Sequence, residues 1–380
     1  MKILFIGISV RAMAESALRS GYSLVALDAF GDLDLQSLCE SYSLARGFGL
    51  KYSPAALIMA SQKLKFDEMA YTSNLENYPA VVSCFAERKR VLGNSPEVLR
   101  RIRKWPCLFR ILASAGYRTP VTLYAGNGQR PGPERLWLVK PVLSGGGLRV
   151  NFWEKDDLPR RGYILQEYIS GPPLSASFLA NGREAVVIGL TEQLIGQSEF
   201  GASGFRYCGN LLPPLQTEPA IARDVLAQVQ DIANLITRQF GLVGVNGMDF
   251  ILSGRDVCLI EVNPRFSASM EMIERAYHLP VFDLHVQAVT RGDLPVFNLL
   301  STGWPEGQFH AKAILYAEKT CQAPDTRNWM NRGVRDVPAP GEQFIRGNPV
   351  CTVLASGPTR ETCLANLITE TTAIKGELYA

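Results

Sequence analysis

Two carboxylates stand in apolar stretches of the second half of the chain, where they could bind a metal ion. Asp249 opens the run Asp-Phe-Ile, and Glu261 opens the run Glu-Val-Asn-Pro-Arg. The turn-forming residues 253–256 predict a hairpin in which Asp249 and Glu261 face each other across adjacent strands. Asn263 would share a face with Glu261, because extended residues two positions apart point the same way. Two carboxylates and an amide oxygen are hard ligands, suited to Mg²⁺ that carries phosphates.

Arg265 lies two positions beyond Asn263 and would join this face if the strand continued past Pro264. A guanidinium there could neutralise charge on a transferring phosphoryl group. The alternative is a solvated hairpin with charges of no function, and carboxylates embedded in apolar strands argue against it.

A lysine followed by a glycine-rich run forms a second candidate site. Lys140 and Pro141 precede Ser144, Gly145, Gly146 and Gly147. The lysine can supply a point charge to a polyphosphate, and glycine backbone N–H groups can close over its oxygens. The run is not a Walker A loop, because the lysine precedes the glycines. A glycine-rich hairpin turn with a surface lysine explains this motif equally well when it is taken alone.

The composition is that of a globular protein with two or three domains. The chain has 380 residues, 47% of them hydrophobic, and a formal net charge of +3. This weak charge predicts no nucleic-acid partner, and no apolar run reaches the roughly 20 residues that span a bilayer. The N-terminus imitates a signal peptide, but Arg11 and Glu15 contradict that interpretation. Eight scattered cysteines without a C-x-x-C pair favour a cytoplasmic protein.

The first 90 residues predict a small doubly wound domain. A strand over 3–6 ends at Gly7, a helix follows over 11–20, and a second strand over 22–27 ends at Asp28. Residues 80–82 are a later strand candidate. The glycine fingerprint of dinucleotide-binding domains is absent, which weakens a dehydrogenase alternative. Asp28 could hold a ribose, but a loop-capping role is favoured.

The rest of the chain alternates strands with two long helices. Ser95 fits the N-cap of a helix that starts at Pro96 and runs toward Gly116, with a break at Pro106. His278, His285 and His310 are too far apart for a metal motif and are interpreted as structural. The predicted strands cover 137–140, 163–166, 185–188, 250–252 and 349–355, and the predicted helices cover 221–239 and 359–371.

Taken together, four motifs resemble the ATP-grasp superfamily, in the branch of the carbamoyl-phosphate synthase large chain and biotin carboxylase. They are Lys140-Pro141, Gln166-Glu167-Tyr168-Ile169, Asp249-Phe250-Ile251 and Glu261-Val262-Asn263-Pro264-Arg265. The resemblance covers residues 90–290 well and the two ends more loosely. It implies a mixed α/β and α+β architecture: an N-terminal Rossmann-like domain (1–90), a two-lobed ATP-grasp domain (91–300) and a small C-terminal α/β domain (301–380).

The resemblance also implies residue roles. Lys140 would contact the α and β phosphates, and 144–147 would form a mobile flap over them. Gln166 to Ile169 would form the adenine hinge, through the backbone of Glu167 and Ile169. The metal set would hold two Mg²⁺ ions, with Mn²⁺ as an alternative, and Arg265 would face the γ-phosphate and the acyl phosphate. Lys104 is similar to an earlier ATP-contacting lysine.

One departure from the family concerns the ribose. Pro173 occupies the position where the family commonly has a ribose-binding glutamate, so ribose must be held differently or more weakly.

The function implied is an ATP- and Mg²⁺-dependent ligase that activates a carboxylate as an acyl phosphate and joins it to an amine. A bicarbonate-activating enzyme and a non-catalytic nucleotide sensor are the alternatives. The expected partners are small-molecule carboxylate and amine substrates, and a homodimer is left open.

Overall fold

The computed structural model describes residues 1–125, 130–154, 160–214, 219–304 and 307–380, without the side chains of 219–221. The N-terminal part is a five-stranded parallel sheet in the order β3-β2-β1-β4-β5. Its elements are β1 (Lys2–Ile6), α1 (Arg11–Arg19), β2 (Ser23–Asp28), α2 (Leu33–Leu38), β3 (Glu40–Ser43), α3 (Leu44–Phe48), α4 (Pro54–Ser61), β4 (Glu68–Tyr71), α5 (Pro79–Ala86) and β5 (Arg90–Leu92).

The predicted βαβ start is confirmed, but the predicted strand over 80–82 is wrong. These residues lie in α5, which begins at Pro79 and buries Val81, Val82 and Phe85. The two valines favour a strand by propensity, whereas burial of this face against the sheet overrides that preference. Asp28 caps its loop as favoured, because Oδ1 accepts hydrogen bonds from the N–H groups of Gly31 (2.7 Å) and Phe30 (3.1 Å).

A small antiparallel sheet follows two short helices. Ser95 is the N-cap of the first helix, as predicted, and Pro106 stands in the first turn of the second helix, so the chain restarts there. The sheet order is β6-β9-β7-β8. The elements are α6 (Pro96–Ile102), α7 (Trp105–Ser114), β6 (Thr122–Tyr124), β7 (Trp137–Pro141), β8 (Asn151–Phe152) and β9 (Tyr163–Glu167).

The remaining strands form a seven-stranded sheet in the order β14-β13-β10-β11-β12-β15-β18 and a separate two-stranded ribbon of β16 and β17. The elements are β10 (Pro173–Asn181), β11 (Ala185–Ile195), β12 (Tyr207–Leu212), α8 (Pro219–Phe240), β13 (Val243–Ser253), β14 (Asp256–Asn263), α9 (Met270–Tyr277), α10 (Val281–Thr290), α11 (Leu299–Thr302), β15 (Phe309–Tyr316), β16 (Cys321–Gln322), β17 (Gln343–Phe344), β18 (Pro349–Gly357) and α12 (Arg360–Tyr379).

The expected mixed architecture is confirmed, with one parallel and several antiparallel sheets. The domain limits at residues 90 and 300 stay predictions. The seven-stranded sheet runs across the second limit, because β15 pairs with β12. Among the described residues, no helix combines the length and the apolarity that crossing a membrane requires.

A buried arginine joins three segments that lie far apart in the sequence, near residues 11, 271 and 336. Arg11 on α1 is 1% exposed and donates to Glu271 on α9 (3.1 Å from Nη2 to Oε2) and to Asp336 between β16 and β17 (3.0 Å from Nε to Oδ1). Burial alone would raise the pKa of Glu271, but Arg11 and Lys312 hold it well below its usual range. Both carboxylates are therefore ionised and depend on the guanidinium.

His285 is structural, as interpreted from the sequence. It lies buried on α10, where Nδ1 accepts from the Val245 N–H (2.9 Å) and Nε2 lies 3.1 Å from the Leu92 carbonyl oxygen. The imidazole is neutral in this arrangement, with the proton on Nε2. Burial lowers its pKa to about 4.

We predict that His285 makes the protein less stable in acid. Its pKa is lower in the folded chain than in the unfolded chain, so its contribution is complete above about pH 6.5 and is lost as the pH falls toward 4. The difference amounts to about 3 kcal/mol. Urea unfolding at several pH values checks this, with His285→Gln as the comparison. An equally steep loss of unfolding free energy in this variant would contradict the prediction.

Candidate functional site

The predicted metal set is brought together on the β13–β14 hairpin. Asp249 pairs with Glu261 in the strand register, and Gly247 pairs with Asn263. The Asp249 carboxylate accepts hydrogen bonds from Asn263 Nδ2 (2.8 Å) and from Gln193 Nε2 on β11 (2.9 Å). The three predicted ligands thus lie side by side on one face of the sheet, as the sequence indicates.

The electrostatics of this set favour a bound cation. Burial, together with the neighbouring charge of Glu261, raises the pKa of Asp249 to about 6. Arg103 pairs with Glu261 through Nη1, and the guanidinium of Arg265 donates to Asn263 Oδ1 (3.2 Å). No cluster of three His, Cys, Asp or Glu side chains suited to a metal occurs in the described ranges. Two carboxylates and one amide oxygen would leave the other coordination positions of Mg²⁺ to water and phosphate.

The opposite wall is the inner face of the small sheet. Lys140 on β7 donates to Gln166 Oε1 on β9 (2.8 Å), and its ammonium lies 5.4 Å from the centre of the Trp105 ring. Burial lowers the pKa of Lys140, while Glu261 and Asp249 counteract that shift. The lysine faces the two carboxylates across a space in which a metal-bound polyphosphate could lie.

The predicted flap is closed against a loop on the large sheet. The Tyr207 N–H donates to the Gly146 carbonyl (3.0 Å). Gly147 has a φ of +71°, and a Cβ atom there would stand 1.7 Å from the Phe205 carbonyl oxygen. Glycine is required at this position because both the left-handed backbone and the close approach exclude a side chain.

Aromatic rings enclose the other end of the cleft, beside the predicted hinge. Phe205 lies 5.2 Å from Phe152 and 6.3 Å from Tyr168, measured between ring centres. The Glu167 side chain is occupied, because Oε2 accepts from the Val121 N–H (3.0 Å). The cleft has a volume of about 250 Å³.

Of the candidate residues, the structure leaves only Lys104 outside this cleft. Its exposed side chain lies at the start of α7. The preceding residue, Arg103, reaches Glu261 instead and was missed by the sequence analysis. Pro173 borders the cleft, as do Ser267 and Ser269. The other candidates all line it: Lys140, Ser144, Gly145, Gly146, Gly147, Gln166, Glu167, Tyr168, Ile169, Asp249, Glu261, Asn263 and Arg265.

Comparisons with known proteins give a family match for the central part of the chain and a distant relative over most of its length. Residues 103–269 match the family model described as the ATP-grasp domain. The chain is 22% identical to an uncharacterised protein of Methanocaldococcus jannaschii over 93% of this chain and 88% of the relative. It is 27% identical to the carbamoyl phosphate synthase large chain of Kocuria rhizophila, over 49% of this chain but only 18% of the synthase.

A solved structure shares the fold over almost the whole length. Biotin carboxylase from Campylobacter jejuni, solved as a β,γ-ATP complex, superposes with a TM-score of 0.71 at 14% identity, over 99% of this chain and 91% of that one. At this identity the likeness concerns the fold alone.

Proposed function

We propose that this chain, which carries an ATP-grasp domain over residues 103–269, uses ATP and Mg²⁺ to activate a carboxylate and join it to an amine. The observation that supports this most is the pairing of Asp249 with Glu261 on adjacent strands, beside Asn263 and opposite Lys140. This arrangement of two anions and a cation across one cleft suits a metal-bound triphosphate.

The proposed reaction has two steps. An oxygen of the substrate carboxylate attacks the γ-phosphorus of ATP, and the bond to the β-phosphate oxygen breaks, which yields an acyl phosphate and ADP. The amine nitrogen then attacks the acyl carbon, the bond from that carbon to the phosphate oxygen breaks, and inorganic phosphate leaves with the proton that the nitrogen loses as the amide forms. Bound Mg²⁺ would neutralise phosphate charge, held by Asp249, Glu261 and Asn263.

Arg265 is suited to the transferred phosphoryl group because its guanidinium is held in place. Nε donates to Glu76 Oε1 (2.9 Å), Nη1 to the Phe266 carbonyl (3.2 Å) and Nη2 to Asn263 Oδ1 (3.2 Å). A cation fixed before the reaction stabilises developing charge without reorganisation. The closed flap would keep water from the acyl phosphate.

Bicarbonate is the second candidate for the activated acid. It is included because biotin carboxylase shares the fold, which alone does not choose between the two acids. Release of ADP that depends on bicarbonate, with no organic acid present, would support this alternative. The proposal includes small-molecule substrates and a cytoplasmic location. The described cysteines are all free thiols, which agrees with a reducing compartment.

ADP release across a panel of amino acids and small acids, each with and without an amine, tests the function. We predict that Lys140→Ala lowers the rate with the active acid–amine pair by about 10²- to 10³-fold, because a half-buried cation beside the proposed phosphate position is lost. Lys51→Ala removes an exposed lysine of the N-terminal part, which does not line the cleft, and serves as the control. Tight ATP binding without ADP release over the whole panel would support a sensor instead.

A further inference from the structure

The floor of the nucleotide cleft changes from polar to apolar along two paired strands. In the register of β10 and β13, Ser175 stands opposite Asp249, and Pro173 stands opposite Ile251. All four residues line the cleft, as expected for positions two apart on a strand. The floor is therefore polar at the proposed metal site and apolar at the next pair of residues toward the predicted hinge.

This apolar pair lies where the sugar of a nucleotide is expected, an expectation that rests on the proposed use of ATP. Two residues of a strand span about 7 Å, so the pair lies about that far from Asp249. Within a nucleotide, the sugar joins the charged phosphates to the flat base. With the phosphates at the metal site and the base at the aromatic end beside Tyr168 and Phe205, the sugar comes to lie over Pro173 and Ile251.

The hydrogen-bonding groups around this pair are missing or engaged. Neither Pro172 nor Pro173 has a backbone N–H, and the Pro172 carbonyl accepts from a backbone N–H of β13 (3.1 Å). Two polar side chains of the adjoining floor, Ser175 and Gln193, both donate to the Asp249 carboxylate. The floor therefore presents hydrocarbon to the sugar at this place.

A sugar hydroxyl that lies against hydrocarbon adds nothing to the affinity. It gives up hydrogen bonds to water and gains none from the floor. A site that holds the hydroxyl by a hydrogen bond would instead lose affinity by about tenfold when the hydroxyl is removed. Deoxynucleotides therefore distinguish the two kinds of site.

We propose that this cleft binds its nucleotide without recognising the sugar hydroxyls, and that Pro173 and Ile251 determine this property. Ribonucleotides and deoxyribonucleotides of the same base then bind equally well. The selectivity of the site resides in the phosphates and the base.

Calorimetric titration of the full chain at saturating Mg²⁺ tests the proposal, with ADP, 2′-deoxyADP and 3′-deoxyADP as the ligands. These diphosphates are suitable because they carry no γ-phosphate to transfer. We expect the three dissociation constants to agree within about threefold. A preference of about tenfold or more for ADP would overturn the proposal.

Substitutions in the apolar pair should create the missing selectivity. Pro173→Glu provides a charged acceptor for the sugar hydroxyls, so ADP should bind about 10-fold more tightly than 2′-deoxyADP. Repulsion between the new charge and the phosphates cancels in this ratio, because both ligands carry the same phosphates. Ile251→Gln, on the paired strand, should shift the ratio in the same direction. Pro172→Glu adds the same charge at a neighbour that does not line the cleft and should leave the ratio near one.

The outcomes separate a failure of this proposal from a failure of the proposed function. A ratio near one in both Pro173→Glu and Ile251→Gln would mean that the sugar does not lie over this pair. A preference in Pro172→Glu as large as in Pro173→Glu would also overturn the proposal, because the effect would not come from the cleft. Absence of ADP binding by the unchanged chain would contradict the proposed use of ATP itself, whereas a strong preference for ADP would contradict only the assignment of the sugar surface.

Discussion

Replacing Glu261 with glutamine will nearly abolish ATP-dependent turnover while the protein stays folded. Glu261 faces Asp249 across the β13–β14 hairpin, and its charge is one of two carboxylates proposed to hold Mg²⁺. Glutamine keeps the size and one oxygen but loses the charge that a hard cation requires. We expect kcat/KM for ATP to fall by about 10²- to 10³-fold, with a higher Mg²⁺ concentration needed for half-maximal rate.

The control for this substitution lies on the same sheet. Glu192 on β11 pairs with Arg360 (2.6 Å) and is not among the residues that line the cleft. Glu192→Gln removes an equal charge and should leave the Mg²⁺ dependence unchanged. If Glu261→Gln retained more than half of the wild-type rate at the same Mg²⁺ concentration, the proposed metal site would be wrong.

The largest expected loss of stability comes from Arg11→Met. Methionine matches much of the side-chain volume, but Asp336 loses its cation, and Glu271 keeps only Lys312 (2.9 Å) and the more distant Arg275 (3.6 Å). Removing one partner of a buried ion pair leaves an uncompensated charge, which costs about 3–5 kcal/mol. Urea unfolding at neutral pH measures the loss, and a large part of the total stability should disappear.

An exposed arginine provides the comparison. Arg327 pairs with Asp325, and both side chains lie largely in solvent. Arg327→Met should leave the urea midpoint almost unchanged, because solvent screens an exposed pair. If Arg11→Met shifted the midpoint no further than Arg327→Met, the buried network would have no role in joining the three segments.

The hairpin site could be predicted from the sequence because its information is local. Turn residues, apolar alternation and the two-residue period decide which side chains of Asp249, Glu261 and Asn263 share a face. The choice between Lys104 and Arg103 could not be made in this way. One helix ends at Ile102 and the next begins at Trp105. The backbone angles of Arg103 and Lys104 between them decide which of the two side chains points inward.

Contacts between segments that are distant in the sequence also could not be predicted. Arg11 and Asp336 are 325 positions apart, and neither stands in a motif. The strand wrongly predicted over 80–82 fails for a related reason, because the sheet on which α5 packs is built from strands elsewhere in the chain. Local preference predicts an element only where packing agrees with it.

The continuous seven-stranded sheet limits where the C-terminal part of this chain can be replaced by a segment of another protein. The β13–β14 hairpin occupies one edge, and β15 and β18 complete the other by pairing onto β12, with Leu211 opposite Ala311. Recombination near residue 300 would leave β12 as a bare edge, open to pairing with foreign strands. A replacement segment would need a strand in the same register and an acid in place of Asp336. The C-terminal part and the rest of the seven-stranded sheet therefore depend on each other for folding.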